Sequence, residues 1–253
     1  MNRIYDNPQY YEIAFSFRDI PAEIDGLENM MRQYSKIPVK TVLEVACGSA
    51  PHLPELARRG YFYVGLDHNE TMLSYARQRA DSCHAKATFV CGDLTDFVSP
   101  CQADLAVIFL GSLYVVDNEG MKKHFDAIAR ALRPGGLYVL DWCVDFIPAT
   151  DLCETWTEHR NGVRVTTTYH AVSVNRAAQT YRETVTLEVN DGGEEFVLQE
   201  TAIKRAIYPQ EFLLFVGARR DFEFVGWWNA WDLNQPLGTT ESYFRPIVVI
   251  RRS

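Results

Sequence analysis

Three carboxylates in the first hundred residues stand where a ligand would meet them. Glu44 lies in Thr41-Val42-Leu43-Glu44-Val45-Ala46-Cys47-Gly48-Ser49-Ala50-Pro51-His52, a short apolar run that passes through an acid into a cluster of small residues. Asp67 closes a second apolar run, Tyr61 to Leu66. Asp93 follows a third, Ala87 to Cys91, in Gly92-Asp93-Leu94. Small residues let a backbone come close to a ligand, and a helix that starts just after them presents free N–H groups. A turn built for phosphate has no use for a carboxylate beside it, because like charges repel. Glu44 therefore points to a ligand with a positive or hydrogen-bond-donating end. Each acid also has a plainer explanation: a strand–turn–helix joint for Glu44, a helix cap for Asp67, a turn for Asp93. Their shared placement at successive strand ends is what argues for a site.

The elements that must position these acids alternate regularly. Strands are expected at 41–46, 61–66, 87–91, 103–110 and 137–142, with helices at 51–59, 70–80 and 118–132 between them. Gly60 is placed to stop the first helix and Asn69 to cap the second. Five strands alternating with helices imply a parallel sheet with both faces covered. Residues 154–207 then lose the helical period and read as four strands, with turn chemistry at Asn161-Gly162, Asn175-Arg176 and Asp191-Gly192-Gly193. Pro209 opens a helix to 218, and strands at 222–228 and 247–250 close the α/β pattern. The expected fold class is α/β: a doubly wound, seven-stranded Rossmann-like sheet with an antiparallel β insertion after strand 5. Ahead of it, Ile24, Leu27, Met30, Met31 and Tyr34 recur at helical spacing over 22–35. The chain divides into a helical cap at 1–37, a core at 38–152 and 208–253, and an inserted sheet at 153–207.

Composition narrows the function classes. Lys+Arg 25 against Asp+Glu 33 gives a net charge of -8, which argues against general nucleic-acid or anionic-membrane binding. No apolar run is long enough to span a bilayer, and Met1-Asn2-Arg3-Ile4-Tyr5-Asp6 has no apolar signal region, so a cytoplasmic protein is expected. The six cysteines, at 47, 83, 91, 101, 143 and 153, form no Cys-x-x-Cys pair; no metal site is expected, and reduced thiols are.

Taken together, these features resemble the class I S-adenosylmethionine-dependent methyltransferases. Glu44-Val45-Ala46-Cys47-Gly48-Ser49-Ala50 matches the family's acidic-x-Gly-x-Gly-x-Gly loop. Asp67 stands at the acidic position after strand 2, Gly92-Asp93-Leu94 at the turn after strand 3, and Leu132-Arg133-Pro134-Gly135-Gly136 at the Leu-x-Pro-Gly-Gly turn before strand 5. The chain departs from the pattern at Ala46 and Ala50, where glycine is usual. Alanine tolerates close approach but resists a positive φ, so the path of the loop is left open. The resemblance implies S-adenosyl-L-methionine as cofactor. Asp67 would accept from the ribose diol, with His68 beside it. Asp93 would accept from the adenine amino group, with the Leu94 N–H on a ring nitrogen, Met72 and Leu94 on the adenine faces, and Gly92 in the turn. Glu44, Ala46 and the Gly48 backbone would meet the methionine part, with backbone groups of Phe109 and Leu110 after strand 4. Tyr5-Asp6 resembles the opening segment of many relatives, which places Tyr5, Tyr10 or Tyr11 in a lid.

The acceptor side is less determined. No residue stands out as a base; Tyr11, Tyr114 and His170 are the candidates, each equally readable as packing or surface. An antiparallel insertion after strand 5 resembles N-methyltransferases of small amines and amino sugars, so a small-molecule acceptor is expected, amine nitrogen ahead of hydroxyl oxygen. No Asn-Pro-Pro-Tyr-type motif follows strand 4, where Phe109-Leu110-Gly111-Ser112 stands. A homodimer is compatible with the sequence. Two other readings share Asp67: an NAD-dependent oxidoreductase, which lacks its Gly-x-Gly-x-x-Gly turn here, and a module that binds the cofactor without turnover.

Overall fold

The computed structural model describes residues 3–147, 151–238 and 245–253. Two sheets are present. The larger is eight-stranded and holds β1 (Thr41–Val45), β2 (Phe62–Asp67), β3 (Ala87–Cys91), β4 (Ala103–Ile108), β5 (Leu132–Asp141), β10 (Phe222–Asn229), β11 (Asp232–Pro236) and β12 (Pro246–Arg252). Their order is β11-β10-β12-β5-β4-β1-β2-β3. The five strands from β5 to β3 run parallel; β12 pairs antiparallel with both β5 and β10. Chain direction across the sheet reverses between β1 and β4, the place where open α/β sheets bind ligands. Helices α3 (Leu53–Arg58), α4 (Glu70–Ser82), α5 (Asn118–Ala131) and α6 (Pro209–Ala218) cover its faces. As expected, Asn69 caps α4 by accepting from the Met72 N–H. β1 and β4 are buried along almost their whole length, which is why they read as continuous apolar runs.

Two differences from the expected elements have local causes. The eighth strand, β11, is Asp232-Leu233-Asn234-Gln235-Pro236, too short and polar to show an alternation, and it exists because Ala230 and Trp231 both take positive φ (52° and 66°) and fold it back on β10. The turn lacks the Asn-Gly signature that normally announces such a hairpin. β5 starts at Leu132, not 137, because Arg133 to Gly136 forms an irregularity in the pairing with β4.

The second sheet is a meander of β6 (Leu152–Arg160), β7 (Val163–Asn175), β8 (Thr180–Asp191) and β9 (Glu194–Arg205). Side chains alternate between its faces. One face carries cross-strand threonine contacts, Thr155–Thr168, Thr157–Thr166 and Thr184–Thr201. The other buries Val165, Leu187, Val189 and Leu198 against the start of the chain.

That start forms a short 3₁₀ turn (Ile4–Asp6), α1 (Pro8–Ala14) and α2 (Ile20–Tyr34). The helix expected from 22 begins at 20 because Asp19 caps it, accepting from the Ala22 N–H. Ile4, Ile13 and Ala14 pack on the inserted sheet, whereas Ile24, Leu27, Met30 and Met31 pack on the main sheet. The cap thus joins the two sheets. Among the described residues, no helix is long and apolar enough to cross a membrane. The six cysteines are free thiols.

Candidate active site

The loop after β1 takes a left-handed backbone at every second residue. Ala46, Gly48 and Ala50 have φ of 53°, 53° and 51°. The path that the alanines left open is therefore the glycine path, kept despite the usual penalty on a Cβ. Asp67 holds this loop in place. Its Oδ2 accepts from the Gly48 N–H at 2.7 Å and its Oδ1 from the Asn69 N–H at 2.8 Å. One lone pair on each oxygen is thereby used, and the side chain lines a cavity of about 290 Å³ between the strand ends and the inserted sheet.

Most residues expected on the cofactor side meet in this cavity. Ala46, Gly48, Asp67 and His68 line it from β1 and β2; Met72 and Leu94 line it from α4 and the turn after β3. Tyr5 and Tyr11 line it from the cap, with ring centroids 5.9 Å apart. Tyr10 is turned away and donates to Asp191. The Leu94 carbonyl accepts from Nδ1 of the buried His124, whose Nε2 contacts the Tyr138 hydroxyl, both at 2.8 Å. Burial pushes the His124 pKa down to about 4, so the ring is a neutral fixture beneath Leu94.

Other expected residues stand elsewhere. Asp93 is exposed and does not line the cavity. Its Oδ1 accepts from the Thr95 hydroxyl and N–H, which hold its carboxyl below the usual range, while Oδ2 accepts from no described protein group. Gly92 also lies outside, donating to the Asp67 carbonyl. Phe109 is buried and stacked on His52 at 3.6 Å. Leu110 donates its N–H to Asp141, and it is Ser112 and Tyr114, just beyond, that reach the cavity.

Glu44 does not reach it either. Its carboxylate is buried under the loop, where Oε1 meets His52 Nδ1 at 3.0 Å and Oε2 accepts from the Tyr63 hydroxyl at 2.9 Å. His52 Nε2 continues to Glu23 at 3.0 Å, with an Arg18 guanidinium nitrogen 2.6 Å away. Glu23 accepts from Arg245, which also pairs twice with Asp141. The acid that looked like a ligand contact is one end of a buried chain of charges joining the cap, β1, β5 and the last strand.

On the acceptor side the three candidates separate. His170 lies on the exposed threonine-bearing face of the inserted sheet, paired across to Cys153 and Thr184, and so faces away from the cavity. Tyr11 and Tyr114 line it, but burial pushes Tyr11 up to about 12 and Tyr114 well above its ordinary range. Both hydroxyls are therefore held in the protonated, hydrogen-bond-donating form.

Two residues that sequence reading passed over complete the wall. Glu183 and Glu200 project into the cavity from β8 and β9, beside Val185 and Ala202. Glu183 accepts from the Tyr169 hydroxyl at 2.6 Å and stands 3.9 Å from Lys204, itself bonded to the Gly111 carbonyl at 2.6 Å. A signal for them existed. Glu183 shares strand parity with Val185, Leu187 and Val189, so an acid interrupts the face that packs inward.

Residues 42–136 match the family model described as a methyltransferase domain. An N,N-dimethyltransferase of dTDP-3-amino-3,4,6-trideoxy-alpha-D-glucopyranose from Streptomyces venezuelae is 28% identical over 183 residues, 69% of this chain and 73% of that protein. A Geobacillus sp. (strain WCH70) protein, provisionally named a methyltransferase, is 27% identical over 116 residues. That alignment spans 46% of this chain and 47% of that protein, so the chain spans about half of this curated relative. The crystal structure of Streptomyces venezuelae DesVI superimposes with a TM-score of 0.78 at 21% identity, covering 97% of this chain and 99% of that one. The chain carries a methyltransferase domain, on the α/β Rossmann-like fold of the class I S-adenosylmethionine-dependent methyltransferases.

Proposed function

We propose that this chain transfers a methyl group from S-adenosylmethionine to an amine nitrogen of a small-molecule acceptor, by in-line displacement. One observation carries the reading. A single cavity is bounded on one side by the Ala46–Ala50 loop and Asp67, and on the other by the carboxylates and tyrosines of the inserted sheet and cap. The first wall fits the cofactor. Asp67 keeps lone pairs for a ribose diol after serving Gly48 and Asn69. Met72 and Leu94 offer apolar surface to the adenine, and Asp93, outside the cavity but next to Leu94 in the chain, would turn its Oδ2 to the amino group. The loop would seat the methionine half. Two features support an amine acceptor: the acids on the second wall, and the likeness to a relative named for acting on an amino sugar nucleotide.

S-adenosylmethionine supplies a methyl carbon already electrophilic on its sulfonium. The protein's part is to position a nucleophile in line, about 3 Å away, and to exclude water. Tyr5 and Tyr11 would do the second from the cap, and Tyr114 would donate a hydrogen bond to the acceptor. No tyrosine base is required, because a neutral amine attacks with its own lone pair.

Calorimetric titration with S-adenosylhomocysteine and with NAD tests the cofactor, and turnover of labelled cofactor on paired amines and alcohols tests the acceptor. The thioether nucleoside should bind and the amines should be methylated. Binding of NAD alone would overturn the reading, and nucleoside binding without turnover on any acceptor would reduce the chain to a cofactor-binding module.

A further inference from the structure

We infer that Glu183 is the residue that selects the acceptor: it holds an amine that arrives protonated against the wall of the inserted sheet, and its carboxylate takes up that proton to free the lone pair that attacks. The inference deepens the methyl-transfer reading and rests on it. Glu183 is 7% exposed, and its two oxygens are not equivalent. Oε1 accepts from the Tyr169 hydroxyl and faces Lys204, which is itself anchored on the Gly111 carbonyl. Oε2 is buried and, among the described residues, has no hydrogen-bond donor in range, although the Tyr114 hydroxyl stands near the carboxylate. A buried carboxylate oxygen without a donor is costly, and the fold tolerates it most readily where a ligand supplies the donor.

The surroundings define that ligand. Glu200 pairs across the sheet with Val185, which puts it diagonal to Glu183 on the same face. Its Oε2 is likewise buried and, among the described residues, unpartnered. Two acids at a diagonal site repel, and a cation between them removes the repulsion. Three acids, Asp67, Glu183 and Glu200, line the cavity against two cations, Arg3 on the lining and Lys204 behind Glu183. A carboxylate or phosphate here would add repulsion, and a hydroxyl would satisfy one oxygen without offsetting any charge. An ammonium does both.

Sinefungin tests this without knowledge of the natural acceptor, because it is the cofactor's nucleoside with an ammonium-bearing carbon in place of the methylated sulfur. The unaltered protein should bind sinefungin at least tenfold more tightly than S-adenosylhomocysteine. Glu183→Gln, which keeps the shape and the Tyr169 contact, should weaken sinefungin about tenfold and leave S-adenosylhomocysteine within twofold. Tyr169→Phe, which frees Glu183 but keeps its charge, should fall between. Equal affinity of the unaltered protein for the two nucleosides, or equal losses for both in Glu183→Gln, would overturn the inference. If neither nucleoside binds, the methyl-transfer reading itself fails. If both bind and amines turn over while Glu183→Gln changes nothing, only the role of Glu183 fails. The comparison on the unaltered protein stands even if the variant does not fold.

Discussion

At the residue scale, the cavity position of Asp67 was legible because a carboxylate at the end of β2 meets whatever lies over the sheet. The structure adds that the same side chain fixes the loop through Gly48. Asp67→Ala should therefore weaken S-adenosylhomocysteine about 30-fold, roughly 2 kcal/mol, with a stability loss of about 1 kcal/mol. Calorimetry and urea unfolding read the two separately; an unchanged affinity would remove the ribose assignment. The same logic does not place Glu44 in the cavity, since its parity on β1 turns it beneath the loop toward His52 and Tyr63. His124 gives a pH test. Its folded pKa, about 4, lies below the ordinary 6.5, so the unfolded state binds the proton more readily between those values. Stability from this group is full above pH 6.5 and lost as pH falls towards 4. Between pH 7 and 4.5 the native protein should lose about 2 kcal/mol more than His124→Gln. Parallel urea midpoints at the two pH values check this, and identical slopes for both proteins would refute it.

At the scale of elements, period and parity carried most of the information. The helices and parallel strands were readable because one face of each must be buried, and that requirement writes a period into the sequence. Parity also put Thr166, Thr168 and His170 on one face of β7, but only the packing of the cap on the opposite face showed which side was inward. Helix α2 offers a prediction in which packing reverses propensity. Glycine within a helix is ordinarily worse than alanine by about 1 kcal/mol. At Gly26, however, an added Cβ would lie 2.7 Å from the Trp231 Cβ and 2.8 Å from its carbonyl oxygen. Gly26→Ala should destabilise by about 1–3 kcal/mol. A rise in thermal midpoint would show that α2 does not dock on the β10–β11 turn as described.

At the scale of the whole molecule, the buried charges act as a clasp. Arg245, from the start of the last strand, reaches Asp141 on β5 and Glu23 on α2, and the three side chains are all at least nine-tenths buried. Removing one partner strands the others, so Arg245→Ala should cost about 3–5 kcal/mol in urea unfolding. A loss below 1 kcal/mol would mean that water reaches the cluster. Nothing in the sequence links residues 23, 141 and 245, which meet only when the cap closes over the strand ends. The same division runs through the protein. Sequence alone determined the parallel strands, the inserted antiparallel sheet and the place of Asp67 at the end of β2, because these depend on local period and on fixed offsets from a strand end. Tertiary structure alone decided which face of the inserted sheet is inward, and so that His170 faces outward and that Glu183 and Glu200 line the cavity opposite Asp67. Those facts depend on the cap packing against the inserted sheet, and a burial partner more than a hundred residues away leaves no local trace in the chain.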